Sequence, residues 1–350
     1  MTNFDESVES NDVRPNLSQN FCEELRSEEL REDIREDTSR EQAAFLRLEA
    51  VAADFLALRD RFSMDEAANQ HRVIAAVHAM LASIVDLEQL GVDKDRIHAI
   101  VAPVRTMHAE SPLITRMQAW PRGYAGDYET VEMLLAGQCV SEIGTLPYYL
   151  ERYLLDCTAT QQHRNKVTVQ ANMIRSAIRN NPEAAILMVA CGGCPDLRLL
   201  LDDFKTFRGQ LWLNDIDGGA LEYSARTIAP AWPQVKTVRG NVVELVRDAK
   251  SLPRFDLIVA GGLYDYLEDR VVRFVTKGAY SVLKPNGTFF FTNIGRNPYR
   301  PWMEYCGEWF LRERDAADLR RLVVRSGVLA ENIRLSMDTT GLAHLVEISN

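Results

Sequence analysis

Asp215 closes the short apolar run Leu211-Trp212-Leu213-Asn214, and about twenty residues earlier Ile186-Leu187-Met188-Val189 breaks into Ala190-Cys191-Gly192-Gly193-Cys194 and Pro195-Asp196. A carboxylate at the end of one strand, beside a small-residue turn ending another, accepts hydrogen bonds from ribose hydroxyls in a doubly wound sheet. The pair therefore predicts a ligand that carries an adenosine.

The turn decides which ligand. A dinucleotide needs glycine where the backbone meets a pyrophosphate, and a helix amino end facing that charge. Here Ala190 and Cys194 occupy such positions, and Pro195 removes a backbone donor. The loop suits S-adenosylmethionine, which has an amino-acid tail in place of phosphates. Cys191 and Cys194 also read as a CxxC redox pair or half a zinc site, but Cys22, Cys139, Cys157 and Cys306 are scattered singly, so no metal is expected.

Downstream segments must position these groups. Gln234 to Val242 reads as a third strand, ending in Asn241, whose side chain would meet the adenine amino group. Arg254 to Leu267 reads as a fourth strand, apolar over Leu257 to Ala260 as a buried parallel strand should be, opening into the Gly261-Gly262 loop facing the ligand. Pro285-Asn286-Gly287 turns into a fifth strand ending near Asn293, and two closing strands join through Thr339-Thr340-Gly341. A parallel sheet with a terminal antiparallel hairpin is the usual methyltransferase ending. The predicted fold is α/β, a Rossmann-like seven-stranded class I methyltransferase sheet over 161–350 behind a mostly helical domain over 21–160.

Residues 1–20 are polar without an apolar period and read as a disordered leader. Phe21 to Phe62 predicts an amphipathic helix interrupted near Thr38-Ser39, and Asp65 to Leu90 a second one stopped by Gly91. Pro147 to Asn181 contains a long helix leading into the first strand; Arg164 in its polar middle would hold the cofactor's carboxylate. A net charge of -10 argues against a nucleic-acid partner. No basic-then-apolar leader and no apolar run of spanning length are evident, so the expectation is a cytoplasmic protein, monomer or homodimer, without a membrane span.

Trp120 to Thr130 packs aromatics, glycines and acids into a lid-like loop, and Asn293 to Trp309 places two arginines and several aromatics after the fifth strand, where a methyltransferase presents its acceptor. Gly123-Tyr124-Ala125-Gly126-Asp127-Tyr128-Glu129-Thr130, Gly262-Leu263-Tyr264-Asp265-Tyr266-Leu267, and Asn297-Pro298-Tyr299-Arg300 with Met303-Glu304 and Trp309 resemble the bacterial 3-hydroxypalmitic acid methyl ester biosynthesis methyltransferases of quorum signalling. The resemblance runs from about residue 105 to the end of the chain. It implies a class I S-adenosylmethionine-dependent enzyme with cofactor contacts at Ala190, Gly192, Asp215, Asn241, Gly261 and Gly262. Cys191, Ile216 and Val242 flank those positions, and Tyr124 and Asp127 join the candidate set from the lid-like loop. Asn286 departs from the pattern, standing where a glycine is expected.

Methyl transfer from a sulfonium is an in-line displacement driven mainly by positioning. For a carboxylate acceptor, Arg296 or Arg300 would orient the substrate through forked hydrogen bonds. For a hydroxyl, the candidate bases are Tyr264, Asp265 and His108. The sequence thus predicts a methyltransferase for a small-molecule acceptor (carboxylate oxygen, sulfur or nitrogen) in signalling or secondary metabolism, with an acyl chain and a heteroaromatic ring equally accommodated. The rival classes are a cofactor-binding regulator without turnover and an NAD-linked oxidoreductase.

Overall fold

A computed structural model describes residues 38–232 and 234–350; the 1–20 leader and the start of the first predicted helix lie outside them. Seven strands form one sheet in the order β3-β2-β1-β4-β5-β7-β6. They are β1 (Ala185–Val189), β2 (Gln210–Asp215), β3 (Lys236–Arg239), β4 (Phe255–Ala260), β5 (Leu283–Ile294), β6 (Ile333–Met337) and β7 (Ala343–Ser349). The first five are parallel, and β7 runs antiparallel to both β5 and β6. β1 is buried along its whole length and β4 at all but Asp256, which is why β1 and Leu257 to Ala260 are continuous apolar runs rather than alternating ones.

The Pro285-Asn286-Gly287 turn lies inside β5 instead of before it. There the register with β4 slips between Phe255 and Leu257, and Asn286 adopts φ 64. Asparagine is among the few side chains that tolerate this left-handed conformation, which accounts for its place where glycine is expected.

In the amino-terminal half, a helix over 38–56 (α1) is followed by α2 (Glu66–Gln89), α3 (Lys94–His108), α4 (Pro112–Ala119), α5 (Tyr128–Ala136) and α6 (Leu146–Asp156). The Asp65 side chain caps α2 by accepting from Ala68 N, and Gly91 turns the chain at φ 76. The single helix expected over Pro147 to Asn181 is two, α6 and α7 (Thr158–Asn180), because Cys157 is extended at φ -66, ψ 154. After β5, the short helix α12 (Arg300–Tyr305) leaves the sheet domain and packs Trp302, Met303 and Tyr305 into the apolar core of the helical half. The remaining helices α8 (Pro195–Arg198), α9 (Gly218–Ile228), α10 (Val242–Arg247), α11 (Asp269–Ser281) and α13 (Ala316–Val324) connect the strands. No helix among the described residues is long and apolar enough to cross a membrane.

Candidate functional site at the carboxyl ends of the strands

Asp215, the last residue of β2, is buried and turned toward the β1 loop. One carboxylate oxygen accepts from Gly192 N at 2.8 Å and the other from Asp217 N at 2.9 Å. Ser224 on α9 donates to the Gly192 carbonyl at 2.7 Å, so the loop is fastened on both sides. Ala190 and Gly192 have positive φ, 47 and 55, folding the loop back on itself. Beside Asp215, Ile216 leaves 58% of its surface exposed, an apolar plate next to a carboxylate. The strand order, the acid ending β2 and the closing antiparallel hairpin together decide the architecture. This is the class I methyltransferase fold.

Two features set this class I loop apart from a pyrophosphate cradle. α8, the helix that follows it, has only four residues and begins with Pro195, so little dipole and few free N–H groups point at the ligand. Glu132 on α5 also crowds the loop at Gly193 and pairs with Arg198 at 2.6 Å, so the cation bonded to the loop is already neutralised by a carboxylate. The redox reading of the CxxC fares no better. Cys194 is wholly buried, and the Cys191 thiol is pushed well above its ordinary range by its hydrogen bond with Cys194 and by burial, the reverse of a reactive thiolate. Among the described residues no cluster of ligands suited to a metal is found.

The loop over residues 120–127 reaches from the helical half across the strand ends. Trp120 Nε1 donates to the Glu308 carbonyl at 2.9 Å, and a side chain at Gly126 would collide with the Trp309 ring and the Tyr266 hydroxyl. At the other end Arg122 grips the Asp217 carboxylate and reaches Glu129 at 3.3 Å, and the Tyr124 hydroxyl donates to Asp217 at 3.3 Å. Tyr124 is thus brought to the acids of β2; Tyr128, missed in the sequence, stands against Gly192 from α5. The Arg122 hydrogen bond is the main cause that lowers Asp217 from its ordinary 3.8 to about 2. Because the folded pKa is the depressed one, the clasp is fully formed above about pH 4 and is lost as pH falls toward 2. Limited proteolysis between these pH values should begin to cut at 120–127 before the domain unfolds, and Arg122→Ala should show the same cutting at neutral pH.

Several predicted site residues serve the fold instead. Asp127 is 1% exposed; it caps α5 through Thr130 N and pairs with Arg116 at 2.9 Å, so it faces the protein and not a ligand. Arg164 donates to the carbonyls of Leu155 at 2.9 Å and Leu134 at 3.0 Å, tying the last turns of α6 and α5. Its guanidinium is therefore engaged by these two carbonyls. The Tyr264 side chain lies in the core under the sheet, stacked on Phe291 and bonded to Thr276 Oγ1 at 2.9 Å. Arg300 pairs with Glu88 on α2 and with Glu304 at 3.1 Å, joining α12 to the helical core. Arg296 is exposed on the surface after β5. His108 is fully buried between the Val104 carbonyl and Trp302 Nε1, and burial lowers its pKa to about 4.

The others lie at the strand ends. Asn241 is exposed beyond β3, with its Oδ1 accepting from Val243 N as the cap of α10, and Val242 buries its side chain in the core. Gly261 meets the side-chain amide of Gln170 so closely that any Cβ would clash. Gly262 adopts φ 151 over open space. Asp265 is buried at the junction of β4 and β5, where it accepts from Ile294 N and from Asn293 Nδ2 and faces Lys166 Nζ at 3.6 Å.

No protein-family model matches the chain, and no curated protein matches it. Among solved structures it is similar to a possible exported protein from Bordetella parapertussis, with a TM-score of 0.57 and 18% identity over 88% of this chain and 96% of that one. Lesser likenesses are to the S-adenosylmethionine-dependent methyltransferase SibL (TM-score 0.44, 13% identity, 88% and 96% covered) and to magnesium protoporphyrin IX methyltransferase from Synechocystis with bound SAH (TM-score 0.43, 10% identity, 55% and 86% covered). At these identities the likeness shows the fold alone.

Proposed function

We propose that the protein is an S-adenosylmethionine-dependent methyltransferase acting on a small-molecule acceptor. The observation that carries this reading is the pairing of Asp215 with Gly192 N at 2.8 Å beside the exposed Ile216. It supplies an acceptor for ribose hydroxyls and an apolar plate for adenine, next to a loop whose one-turn helix suits no pyrophosphate. The open space at Gly262 would give the methionine tail room at the end of β4, directing the sulfonium toward β5. The loop over 120–127 would then exclude water from the displacement. The resemblance to quorum-signal methyltransferases supports a role in signalling or secondary metabolism.

The test is calorimetric titration with S-adenosylmethionine, S-adenosylhomocysteine and NAD, followed by mass spectrometry for a gain of one methyl in a panel of acids, amines and thioethers. Binding of the first two without NAD is expected, with turnover on at least one acceptor. Binding of NAD alone would overturn the reading.

Tyr264 separates positioning from base catalysis. Its hydroxyl has a partner in the core, so Tyr264→Phe should cost about 1 kcal/mol of stability from one lost hydrogen bond. Turnover on the acceptor identified above should stay within about twofold. A general base would instead be worth about a hundredfold or more, and a loss of that size would return Tyr264 to the chemistry.

A further inference from the structure

One face of α7 changes character along its length. Gln162, Lys166, Gln170, Ile174 and Ile178 follow at four-residue spacing and are all buried. The two isoleucines pack with β1 and β4, and the change to polar side chains comes at Gln170, which lies against Gly261 at the carboxyl end of β4. Beyond the sheet, the helix therefore continues with a buried face made of two amides and an ammonium. Burial of such groups is costly unless something satisfies them.

The protein satisfies them only in part. Gln162 Oε1 has no hydrogen-bond partner although the residue is 2% exposed, and Thr292 Oγ1 is likewise buried and unpartnered. Thr292 lies two residues beyond Phe290 on β5, on the face of the sheet where Phe290 packs with Ala171 and Ile174 of α7. Lys166 is 3% exposed and carries three donors, yet its ion-pair partner Asp265 stands at 3.6 Å, too far for a strong hydrogen bond. Asp265 already accepts from the end of β5, and burial raises its pKa. His163, its ring centroid 5.8 Å from that of Trp309, is kept neutral by burial and by the charges of Lys166 and Arg164.

We propose that Lys166 is the specificity-determining cation of the acceptor site and receives a negatively charged oxygen group of the acceptor. The inference rests on the methyltransferase reading and adds the charge class of its second substrate. Lys166 faces Asp265 at the end of β5, whereas Asp215 ends β2. In the order β2-β1-β4-β5 these are three strand steps apart, roughly 14 Å at the usual spacing. The adenosine takes the first step and the methionine tail the second, which leaves the third for the acceptor. Gln162 and Thr292 offer further polar contacts, and the His163–Trp309 pair walls the site beneath Gly126.

The test uses the full chain and two matched pairs of probes, octanoate with octanamide and benzoate with benzamide, titrated by calorimetry into the protein with and without S-adenosylhomocysteine. At least one acid should bind about tenfold or more tightly than its amide, as expected for a charge-assisted hydrogen bond. Lys166→Met should erase that preference while leaving S-adenosylhomocysteine affinity within about twofold, and Lys166→Arg should keep much of it. An unchanged preference in the methionine variant, or none in the native protein, overturns the proposal. So does a tenfold loss of S-adenosylhomocysteine affinity in that variant, which would give Lys166 to the cofactor. Failure of the native protein to bind S-adenosylhomocysteine sinks the methyltransferase reading separately, because acid preference is also read without it. Thermal unfolding of both variants confirms that each is folded before it is titrated.

Discussion

Replacing Asp215 by alanine is expected to weaken S-adenosylmethionine binding about a hundredfold or more. Each hydrogen bond to a charged acceptor contributes about 1.5–3 kcal/mol, and a ribose presents two hydroxyls to this carboxylate. The loss has a second source. The carboxylate also accepts from Gly192 N and Asp217 N, so its removal frees the loop that frames the site. Asp215→Asn keeps one acceptor oxygen and nearly the same shape, and its loss should be about tenfold. Calorimetry with S-adenosylhomocysteine reads both variants, with thermal unfolding as the control for folding. An alanine variant that binds as the native protein does would remove the cofactor from this end of β2.

Most of the sheet was legible because its physics is local. Buried parallel strands must be apolar on both faces, so Ile186 to Val189 and Leu257 to Ala260 announce themselves, and the Asp ending β2 can be placed from the run before it. Positive-φ positions were readable from residue type at Gly192 and Gly262, less so at Ala190 and Cys194, whose positive φ no propensity suggests. Arg122 and Glu132 were missed for another reason: their partners Asp217 and Arg198 lie 95 and 66 residues away, and only the fold brings them together.

The misread residues share that cause. Arg300 among aromatics after β5 looks like a carboxylate clamp, but Glu88, 212 residues earlier, takes its guanidinium. Arg164 and Lys166 stand two residues apart in one polar turn, which on a helix is nearly opposite sides. One side ties the ends of α5 and α6, and the other looks at the end of β5. The signal that separates them was present in the sequence. Read at four-residue steps backward from Ile178 and Ile174, the buried stripe arrives at Gln170, Lys166 and Gln162, never at Arg164.

The two segments that hold Asp265 depend on the buried Arg314, and its removal should be strongly destabilising. Arg314 is 6% exposed; its Nη1 donates to the Tyr264 carbonyl at 2.9 Å and to Asn293 Oδ1 at 2.7 Å. Its Nη2 serves the Leu267 carbonyl and Asp269, so one side chain fastens the loop after β4 to the end of β5, the two segments that hold Asp265. In Arg314→Met the apolar volume is largely kept; the Leu267 carbonyl and the Asn293 amide oxygen lose their donor, while the Tyr264 carbonyl keeps Leu267 N at 3.3 Å. At about 1–3 kcal/mol for each buried acceptor left unpaired, the expected cost is about 4 kcal/mol, more than most single substitutions exact. The exposed Asp269 should contribute little to this total, since it returns to water. Urea unfolding should show the midpoint falling with its slope unchanged, and Arg314→Lys should recover only part of the loss because an ammonium cannot span the fork. A methionine variant within 1 kcal/mol of the native protein would mean that water replaces the guanidinium, and that the two segments are held by the backbone of the sheet alone.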